Sequence, residues 1–214
     1  MKALDVRDLG RIGYPEAFAL QKELVARRIA EQIPDTLLLL EHPPVITMGK
    51  SAADEDILVE KSVLEAAGAT VHRINRGGEA TYHGPGQLVG YVIIHLYEKE
   101  RALRSFIRNL EEVFIRVLSE YRVDADRDEA HRGVWVQDEK ITAIGIAVSQ
   151  RVTMHGFAFN VSTDLSHFGW IVPCGIRDRG QTSLERLLGR SVPMVEAKKT
   201  VTTAFIDVFG YTST

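Results

Sequence analysis

The sequence is poor in cysteine and in long apolar runs. A single cysteine among 214 residues leaves no second thiol for a disulfide within the chain, which excludes the disulfide-stabilised secreted class. The densest apolar stretches, residues 37–40 and 88–96, are far shorter than the roughly 20 residues of a membrane-spanning helix. Residues 1–13 carry no basic segment followed by an apolar one, as a secretory leader would. The sequence therefore predicts a cytoplasmic protein with no membrane association.

The chain also lacks an excess of one charge. It has 26 basic and 29 acidic side chains, a formal net charge of −3, and the two signs are interspersed. No broad field of one sign attracts nucleic acid or an anionic membrane, so neither is an expected partner. A chain of this length, with 45% hydrophobic residues, buries roughly 70% of its unfolded surface. We therefore expect a single domain over residues 1–214, and a monomer.

Motifs for metals and nucleotides are missing as well. The seven histidines include no His-x-x-x-His pair, and the lone cysteine has no partner for a zinc cluster. No Gly-x-x-x-x-Gly-Lys-Ser/Thr loop is present, which is the motif that cradles nucleotide phosphates in many enzymes. We therefore expect no metal and no bound cofactor.

Helical and strand patterns alternate along the chain. Apolar spacing predicts helices at residues 15–30, 54–68, 103–118, 182–188 and 195–209. Short apolar or alternating runs predict strands at residues 36–41, 70–74, 88–95, 134–148 and 152–161. This mixed order predicts an α+β (mixed α/β) fold, in which helices pack on a mixed sheet.

The segment 76–87 combines glycines with hydrogen-bonding side chains. Four glycines and a proline in twelve residues allow the backbone to approach a ligand closely. Arg76, Thr81, Tyr82 and His83 add donors, hydroxyls and a titratable ring. A structural turn between two strands is the alternative, and a single Arg-Gly-Gly is only weak evidence for RNA binding. The combination favours a binding loop.

The single cysteine, Cys174, lies between Pro173 and Gly175. A solitary cysteine is usually an inert, buried hydrophobic residue, and that interpretation stays open. A position between proline and glycine favours a loop, however, and loops on a rigid scaffold often carry nucleophiles. An unperturbed thiol is only about 3% thiolate at pH 7. A nucleophilic Cys174 therefore needs a neighbouring group that lowers its pKa.

Lys140 begins an alternating segment that extends to residue 148. Strict alternation places Lys140 on the larger, more apolar face of this strand, with Ile144, where a lysine is out of place. The other face carries Ala143 and Gly145, which are small enough to admit a ligand. The alternative is that Lys140 belongs to the preceding turn and points to water, because one bulge reverses the alternation.

Residues 155–161 repeat this pattern of small and large side chains. Gly156 and Ala158 leave one face of the predicted strand shallow, whereas Phe157 and Phe159 fill the other. Together with the small residues of the preceding strand, they form either the wall of a ligand tunnel or a surface on which a helix packs.

Four segments together resemble the lipoyl(octanoyl) transferase family. They are the loop 76–87, Lys140-Ile141 leading to Gly145, His155-Gly156 leading to Asn160-Val161, and Asp164-Leu165 leading to Pro173-Cys174-Gly175. His42-Pro43-Pro44-Val45 through Met48-Gly49 is similar to the N-terminal signature of that family. The order and spacing of the segments agree, and the resemblance extends from about residue 36 to residue 182.

This resemblance implies the fold of biotin and lipoate protein ligases, with its core over about residues 30–214 of one octanoyltransferase domain. It implies that an octanoyl group moves from octanoyl-acyl carrier protein to a lysine of a lipoyl domain. The implied acceptors are the E2 subunits of 2-oxoacid dehydrogenases and the glycine cleavage H protein. Cys174 matches the acyl-thioester nucleophile, and Lys140 matches the residue that lowers its pKa and serves as general acid and base. The implied substrate-binding residues are Arg76, Gly77, Gly78, Glu79, Ala80, Thr81, Tyr82, His83, Ala143, Ile144, Gly145, Gly156, Phe157 and Ala158.

Three alternatives stay open beside this one. An ATP-dependent lipoate or biotin ligase shares the fold, but it activates a free acid as an acyl-adenylate and needs no cysteine. A non-catalytic acyl-binding protein would use Cys174 only for packing. A hydrolase would pair Cys174 with His83 or His155. The arginines within residues 177–190 are either a solvated face or a docking site for an acidic partner protein.

Overall fold

The structure, a computed structural model, describes residues 2–96, 100–172 and 179–212. Its helices are α1 (Tyr14–Ile29), α2 (Lys61–Ala66), α3 (Glu100–Glu120), α4 (Leu184–Leu188) and α5 (Met194–Phe209). Short 3-10 helices cover Asp54–Asp56 and Leu165–Trp170. Over these ranges, none of the helices is long and apolar enough to cross a membrane.

A larger mixed sheet forms the centre of the protein. Its strands are β1 (Lys2–Arg11), β2 (Asp35–Glu41), β6 (Gln87–Ile93), β7 (Asp126–Arg127), β8 (Val134–Val136), β9 (Glu139–Ser149), β10 (Val152–Asn160), β11 (Gly180–Gln181) and β12 (Tyr211–Thr212). They are ordered β12-β1-β2-β6-β10-β9-β8-β7, and β11 also pairs with β9. The pairs β12–β1, β1–β2 and β11–β9 are parallel, and the others are antiparallel. The mixed sheet confirms the predicted fold class.

A smaller sheet lies beside the larger one. It contains β3 (Val45–Met48), β4 (Thr70–Arg73) and β5 (Ala80–His83), in the order β4-β3-β5. Side chains from these strands pack with α2 and with the second 3-10 helix, so that Tyr82 contacts Phe168. This sheet carries the segment that leads into and out of the glycine-rich loop.

Both faces of the larger sheet are covered. Helices α3 and α5 pack on one face, where Phe114 contacts Phe157 and Phe159 of β10. Helix α1 packs on the other face through Ala17, Leu24 and Val25. Because both faces are buried, β2 is a continuous apolar run rather than an alternating one, as the sequence predicts for a buried strand.

The predicted helix at residues 54–68 is wrong as a single element. The chain forms a 3-10 turn and the six-residue helix α2 instead. Between them, Ile57 pairs with Ile171 and the Leu58 N–H donates to the Trp170 carbonyl at 2.8 Å. These tertiary bonds hold residues 57 and 58 in an extended conformation, which overrides the local helical pattern.

Candidate active site

A cavity lies between the two sheets. The larger sheet supplies its floor, β5 and the glycine-rich loop cover it, and Tyr14 of α1 lies at one end. The cavity measures about 580 Å³ with its open mouth included. Twelve of the fourteen predicted substrate-binding residues line it: Arg76, Gly77, Gly78, Glu79, Thr81, His83, Ala143, Ile144, Gly145, Gly156, Phe157 and Ala158. The structure therefore brings the loop segment 76–83 together with the β9–β10 hairpin, which follows much later in the sequence.

The side chains of Ala80 and Tyr82 lie on the other side of β5. Both are buried in the core of the smaller sheet, and the Tyr82 hydroxyl lies 2.8 Å from His167 Nδ1. Successive residues of a strand point to opposite faces, so Thr81 and His83 face the cavity while their neighbours do not. Within the predicted loop, Ala80 and Tyr82 therefore anchor β5 in the core of the smaller sheet, while Thr81 and His83 line the cavity.

The floor of the cavity consists of two rows of paired residues across three strands. In one row Val89 of β6 pairs with Ala158 of β10, which pairs with Ala143 of β9. In the next row Tyr91 pairs with Gly156, and Gly156 pairs with Gly145. The rows are roughly 7 Å apart along the strands. The predicted shallow strand faces therefore line a cavity, while Phe157 and Phe159 pack against α3 on the opposite face.

The glycine-rich loop is held against the end of β3. The N–H groups of Gly49 and Ser51 donate to Glu79 and Gly78 carbonyls, and the Lys50 N–H donates to the Arg76 carbonyl. A Cβ atom at Gly49 would lie 2.1 Å from the Gly78 carbonyl oxygen, which no side chain tolerates. The close contact explains why glycine is needed after Met48.

Arg76 is a buried cation in the wall of the cavity. Its guanidinium donates to the Thr47 carbonyl at 2.8 Å, to Thr47 Oγ1 at 3.1 Å and to the Gly77 carbonyl at 3.1 Å. A Cβ atom at Gly145 would lie 3.1 Å from Arg76 Cδ. The side chain therefore lies directly over the glycine row of the floor and narrows the cavity there.

A hydrogen-bonded chain of side chains connects the cavity wall to β11. His83 Nδ1 donates to Gln87 Oε1 at 2.7 Å, and Gln87 Nε2 donates to Asn160 Oδ1 at 2.9 Å. Asn160 Nδ2 then donates to the Thr182 carbonyl. The N–H of Thr182 in turn donates to the Lys140 carbonyl at 3.0 Å. Because buried polar groups with complete partners fix their geometry, this chain orients His83 and ties it to the Lys140 strand.

Three buried histidines surround the inner part of the cavity. Burial lowers the pKa of His83 to about 3 and the pKa values of His42 and His155 to about 4. All three rings are therefore neutral at pH 7. His42 Nδ1 donates to the Ile12 carbonyl at 2.7 Å, which leaves its Nε2 to accept a hydrogen bond from the Tyr91 hydroxyl at 2.7 Å.

These histidines make folding stability depend on pH. Each has a pKa near 6.5 in the unfolded chain and a lower one when folded, so the unfolded state binds more protons between about pH 6.5 and pH 4. Stability is expected to fall as the pH falls through this window, by up to about 2 kcal/mol per histidine between pH 7 and pH 5. Urea unfolding at the two pH values measures this loss, and the variant His83→Gln should reduce it. An equal loss in wild type and variant would contradict the role of His83.

Lys140 is buried, with 2% of its surface exposed. Its ammonium lies 4.8 Å from the centre of the Trp135 ring. The two preceding carboxylates, Asp138 and Glu139, face Arg179 and Arg186 instead. A buried cation that faces an aromatic ring favours an anionic neighbour, so this position suits a lysine that stabilises a thiolate.

The predicted face for Lys140 is wrong. Lys140 pairs with Trp135 but Thr142 pairs with Val134, so β9 carries one extra residue between them. This bulge reverses the alternation and places Lys140 on the side of Trp135, opposite the apolar face that carries Ile144. The alternative in which Lys140 points to water is also wrong, because the residue is buried.

Cys174 lies outside the described residues, as do Pro173 and Gly175. The chain on both sides of this segment is well connected. The Val172 N–H donates to the Asp56 carbonyl at 2.8 Å, and Gln181 pairs directly with Lys140 across the β11–β9 ladder. The role of Cys174 and its pairing with Lys140 stay predictions.

Some of the arginines within residues 177–190 form ion pairs with carboxylates of the same chain. Arg179 lies 2.5 Å from Asp128, and Arg186 lies 3.2 Å from Glu139. Arg190 is exposed and donates to the Ser191 carbonyl, while Arg177 lies outside the described residues. These contacts favour a solvated face over a strong docking site for an acidic protein.

Seven lining residues were not among the predicted substrate-binding residues. They are Tyr14, Thr47, Ile74, Val89, Tyr91, Arg132 and His155, of which the sequence singled out only His155, for a different chemistry. Strand register places Val89 and Tyr91 beside Ala158 and Gly156, and no local pattern reveals that pairing. Among the described residues, no group of three or more His, Cys, Asp or Glu side chains is arranged to hold a metal ion.

Comparison with known proteins decides the family. Residues 13–206 match the family model described as the lipoyl protein ligase A/B catalytic domain. The chain belongs to this family. An octanoyltransferase from Caldicellulosiruptor bescii is 51% identical over 209 residues, which cover 97% of this chain and 92% of that protein. An octanoyltransferase from Rubrobacter xylanophilus is 51% identical over 211 residues, which cover 97% of this chain and 95% of that protein.

Solved structures of a lipoate protein ligase and a biotin protein ligase share the fold. A bipartite lipoate protein ligase from Thermoplasma acidophilum superposes with a TM-score of 0.76 at 17% identity, over 100% of this chain and 86% of that one. A biotin protein ligase from Aquifex aeolicus superposes with a TM-score of 0.54 at 12% identity, over 98% of this chain and 70% of that one. The family and the biotin/lipoate ligase-like fold predicted from the sequence are confirmed.

Proposed function

We propose that the protein transfers an octanoyl group from octanoyl-acyl carrier protein to a lysine of a lipoyl domain, through a thioester on Cys174. The acyltransferase activity is supported by relatives that are named octanoyltransferases and match nearly the whole chain. The observation that carries the proposal is the cavity itself. Its floor of small residues leaves room for a narrow apolar chain, and Lys140 is buried on β9, the strand that supplies Ala143 and Gly145 to that floor.

The first step forms the acyl-enzyme. The Cys174 thiolate attacks the thioester carbonyl, the new C–S bond forms, and the carrier's thiolate leaves. Lys140 as an ammonium stabilises the attacking thiolate and protonates the departing one. The burial of Lys140 beside Trp135 supports this role, because electrostatic stabilisation is stronger where water is excluded.

The second step transfers the group to the acceptor. The lysine amine attacks the Cys174 thioester, an amide forms, and the cysteine leaves as a thiolate. A free lysine is only about 0.04% neutral at pH 7, so neutral Lys140 accepts the proton of the incoming amine. Amide formation from a thioester is strongly favourable, and the cycle needs no ATP because the donor is already activated.

The partners follow from the chemistry. The donor is octanoyl-acyl carrier protein, and the acceptors are lipoyl domains such as those of 2-oxoacid dehydrogenase E2 subunits and the glycine cleavage H protein. The proposal places the enzyme in the cytoplasm, as a monomer without a cofactor. Two residues that line the cavity, Gly78 and Arg132, are exposed, which supports delivery of the acyl group by a carrier in solution.

The test compares two donors with one acceptor. Purified protein is incubated with an unmodified lipoyl domain and either octanoyl-acyl carrier protein without ATP, or free octanoate with ATP. The proposal predicts an octanoyl amide on the lipoyl domain with the carrier donor alone. Modification only with octanoate and ATP, together with release of AMP, would instead identify an ATP-dependent ligase.

A further inference from the structure

One part of the cavity wall consists of aromatic rings that carry polar atoms. Five rings contact one another in pairs: Tyr14 with His42, His42 with His83 and with Tyr91, and Tyr91 with His155. The distances between ring centres are 5.5, 5.9, 5.9 and 6.3 Å. We call these five residues the polar end. All of them except His42 line the cavity.

Some polar atoms of the polar end have hydrogen-bond partners within the protein. His42 accepts from Tyr91 and donates to the backbone, as described above. His83 uses its Nδ1–H on Gln87, so its Nε2 carries a lone pair. The Thr47 hydroxyl lies 3.5 Å from that nitrogen. His83 therefore presents an acceptor at the cavity wall whose hydrogen bond to the protein is long.

Two atoms of the polar end have no hydrogen-bond partner in the described part of the chain. They are the hydroxyl of Tyr14 and Nε2 of His155. Both residues line the cavity, and their relative exposures are 4% and 3%. A buried polar atom without a partner is destabilising, so two such atoms at the wall of one cavity indicate a place for a polar ligand group.

The backbone of His155 supports this interpretation. Its φ angle of 63° is in the left-handed region, within strand β10. A non-glycine residue adopts this conformation at an energetic cost, and such strain is concentrated at functional sites. The His155 N–H donates to Gln21 Oε1 of α1 at 2.9 Å, and its ring stacks on Phe18 of the same helix. Helix α1 thus holds the ring in position at the cavity.

We propose that the polar end is a hydrogen-bonding subsite for the tip of the acyl chain, and that the enzyme transfers eight-carbon acyl groups hydroxylated at the terminal carbon. This inference rests on the proposed function. The Tyr14 hydroxyl donates to the oxygen of the substrate, and the substrate hydroxyl donates to a neutral histidine nitrogen, on His83 or His155. The transfer itself is unchanged: the C–S bond to Cys174 breaks, the C–N bond forms, the cysteine leaves as a thiolate, and Lys140 accepts the amine proton.

The first experiment uses the wild-type protein with two donors. Octanoyl- and 8-hydroxyoctanoyl-acyl carrier protein are compared by kcat/KM for transfer to the same lipoyl domain. The subsite predicts values within about threefold of each other, or a preference for the hydroxylated donor. An apolar end would bury the hydroxyl without a partner and lower kcat/KM for that donor by roughly 10- to 100-fold. That result would overturn the inference.

A pair of variants then locates the subsite. Tyr14→Phe keeps the ring and removes the hydroxyl, and it should lower the ratio of hydroxyoctanoyl to octanoyl transfer about 10-fold. Tyr121→Phe removes a buried hydroxyl outside the cavity and should leave the ratio as in wild type. If Tyr14→Phe changes transfer of both donors equally, Tyr14 is structural and the proposed subsite is wrong.

A binding measurement separates this inference from the proposed function. Calorimetry compares octanoic and 8-hydroxyoctanoic acid with the wild-type protein and requires no transfer. If neither carrier donor is used but 8-hydroxyoctanoic acid binds at least as tightly as octanoic acid, the proposed function fails and the subsite stands. If octanoyl transfer occurs and 8-hydroxyoctanoic acid binds at least 10-fold more weakly, only the subsite fails.

Discussion

The variant Lys140→Met is expected to form the acyl-enzyme roughly 100- to 1000-fold more slowly than wild type at pH 7. Methionine keeps an unbranched side chain in the buried position but removes the cation beside Trp135. Without it, the Cys174 thiol returns toward its ordinary pKa of about 8.5, and the leaving thiolate loses its proton donor. Folding should be maintained, since methionine is unbranched and flexible enough to fill the buried position of the lysine side chain.

The pH dependence of alkylation measures this effect directly. Because Cys174 is the single cysteine, the rate of its reaction with iodoacetamide reports the thiolate fraction. The rate for Lys140→Met should rise at a higher pH than the rate for wild type. Lys199→Met, at an exposed position on α5, should behave as wild type does. Identical profiles for Lys140→Met and wild type would remove Lys140 from the mechanism.

The variant Gly145→Val is expected to block the cavity without unfolding the protein. Even the first atom of the new side chain would lie 3.1 Å from Arg76 Cδ, and Arg76 is held by three hydrogen bonds to Thr47 and Gly77. In the acyl complex the valine and the acyl chain would overpack this part of the cavity at a cost of roughly 1–3 kcal/mol, which corresponds to a loss of about 5- to 150-fold in acyl binding. Valine is otherwise well suited to a strand.

A matched variant on the same strand controls for this change. Ala147→Val lies two residues further along β9, where the side chain packs beside α1 rather than in the cavity. Its KM for octanoyl-acyl carrier protein should equal that of wild type, while Gly145→Val raises KM strongly at a similar melting temperature. Equal KM values for the two variants would show that the acyl chain does not pass over Gly145.

The sequence predicted the strongly apolar strands of the central sheet but missed its ten-residue strand β1, and it predicted β4 but neither β3 nor β5 of the smaller sheet. Strands β2, β6 and β10 and helices α1, α3 and α5 have strong apolar patterns, because each is buried against the main core. Strands β3 and β5 are four residues each, too short for a pattern to stand out from the surrounding turns. The conformation of residues 57 and 58 is set by hydrogen bonds to residues 170 and 171. These partners are too distant in the sequence for a local pattern to reveal them.

In the candidate site too, local sequence patterns predicted some features, whereas others depend on strand register and tertiary contacts. Glycines and polar side chains predicted a binding loop, and this loop covers the cavity. Small residues at alternate positions predicted either a tunnel wall or a helix-packing surface, and the structure shows that they line the cavity floor. Lys140 was placed on the wrong face because a bulge in β9 is invisible to strict alternation. Tyr14 lies in the cavity because α1 packs across the sheet, a tertiary contact between distant parts of the chain.

The most direct test of the account is the intact mass of the protein after brief incubation with octanoyl-acyl carrier protein. Wild type should gain one octanoyl group that hydroxylamine removes, as expected for a thioester, and Cys174→Ala should gain none. If wild type remains unmodified while the carrier keeps its acyl group, or if Cys174→Ala acquires the same adduct, the proposed thioester mechanism is wrong.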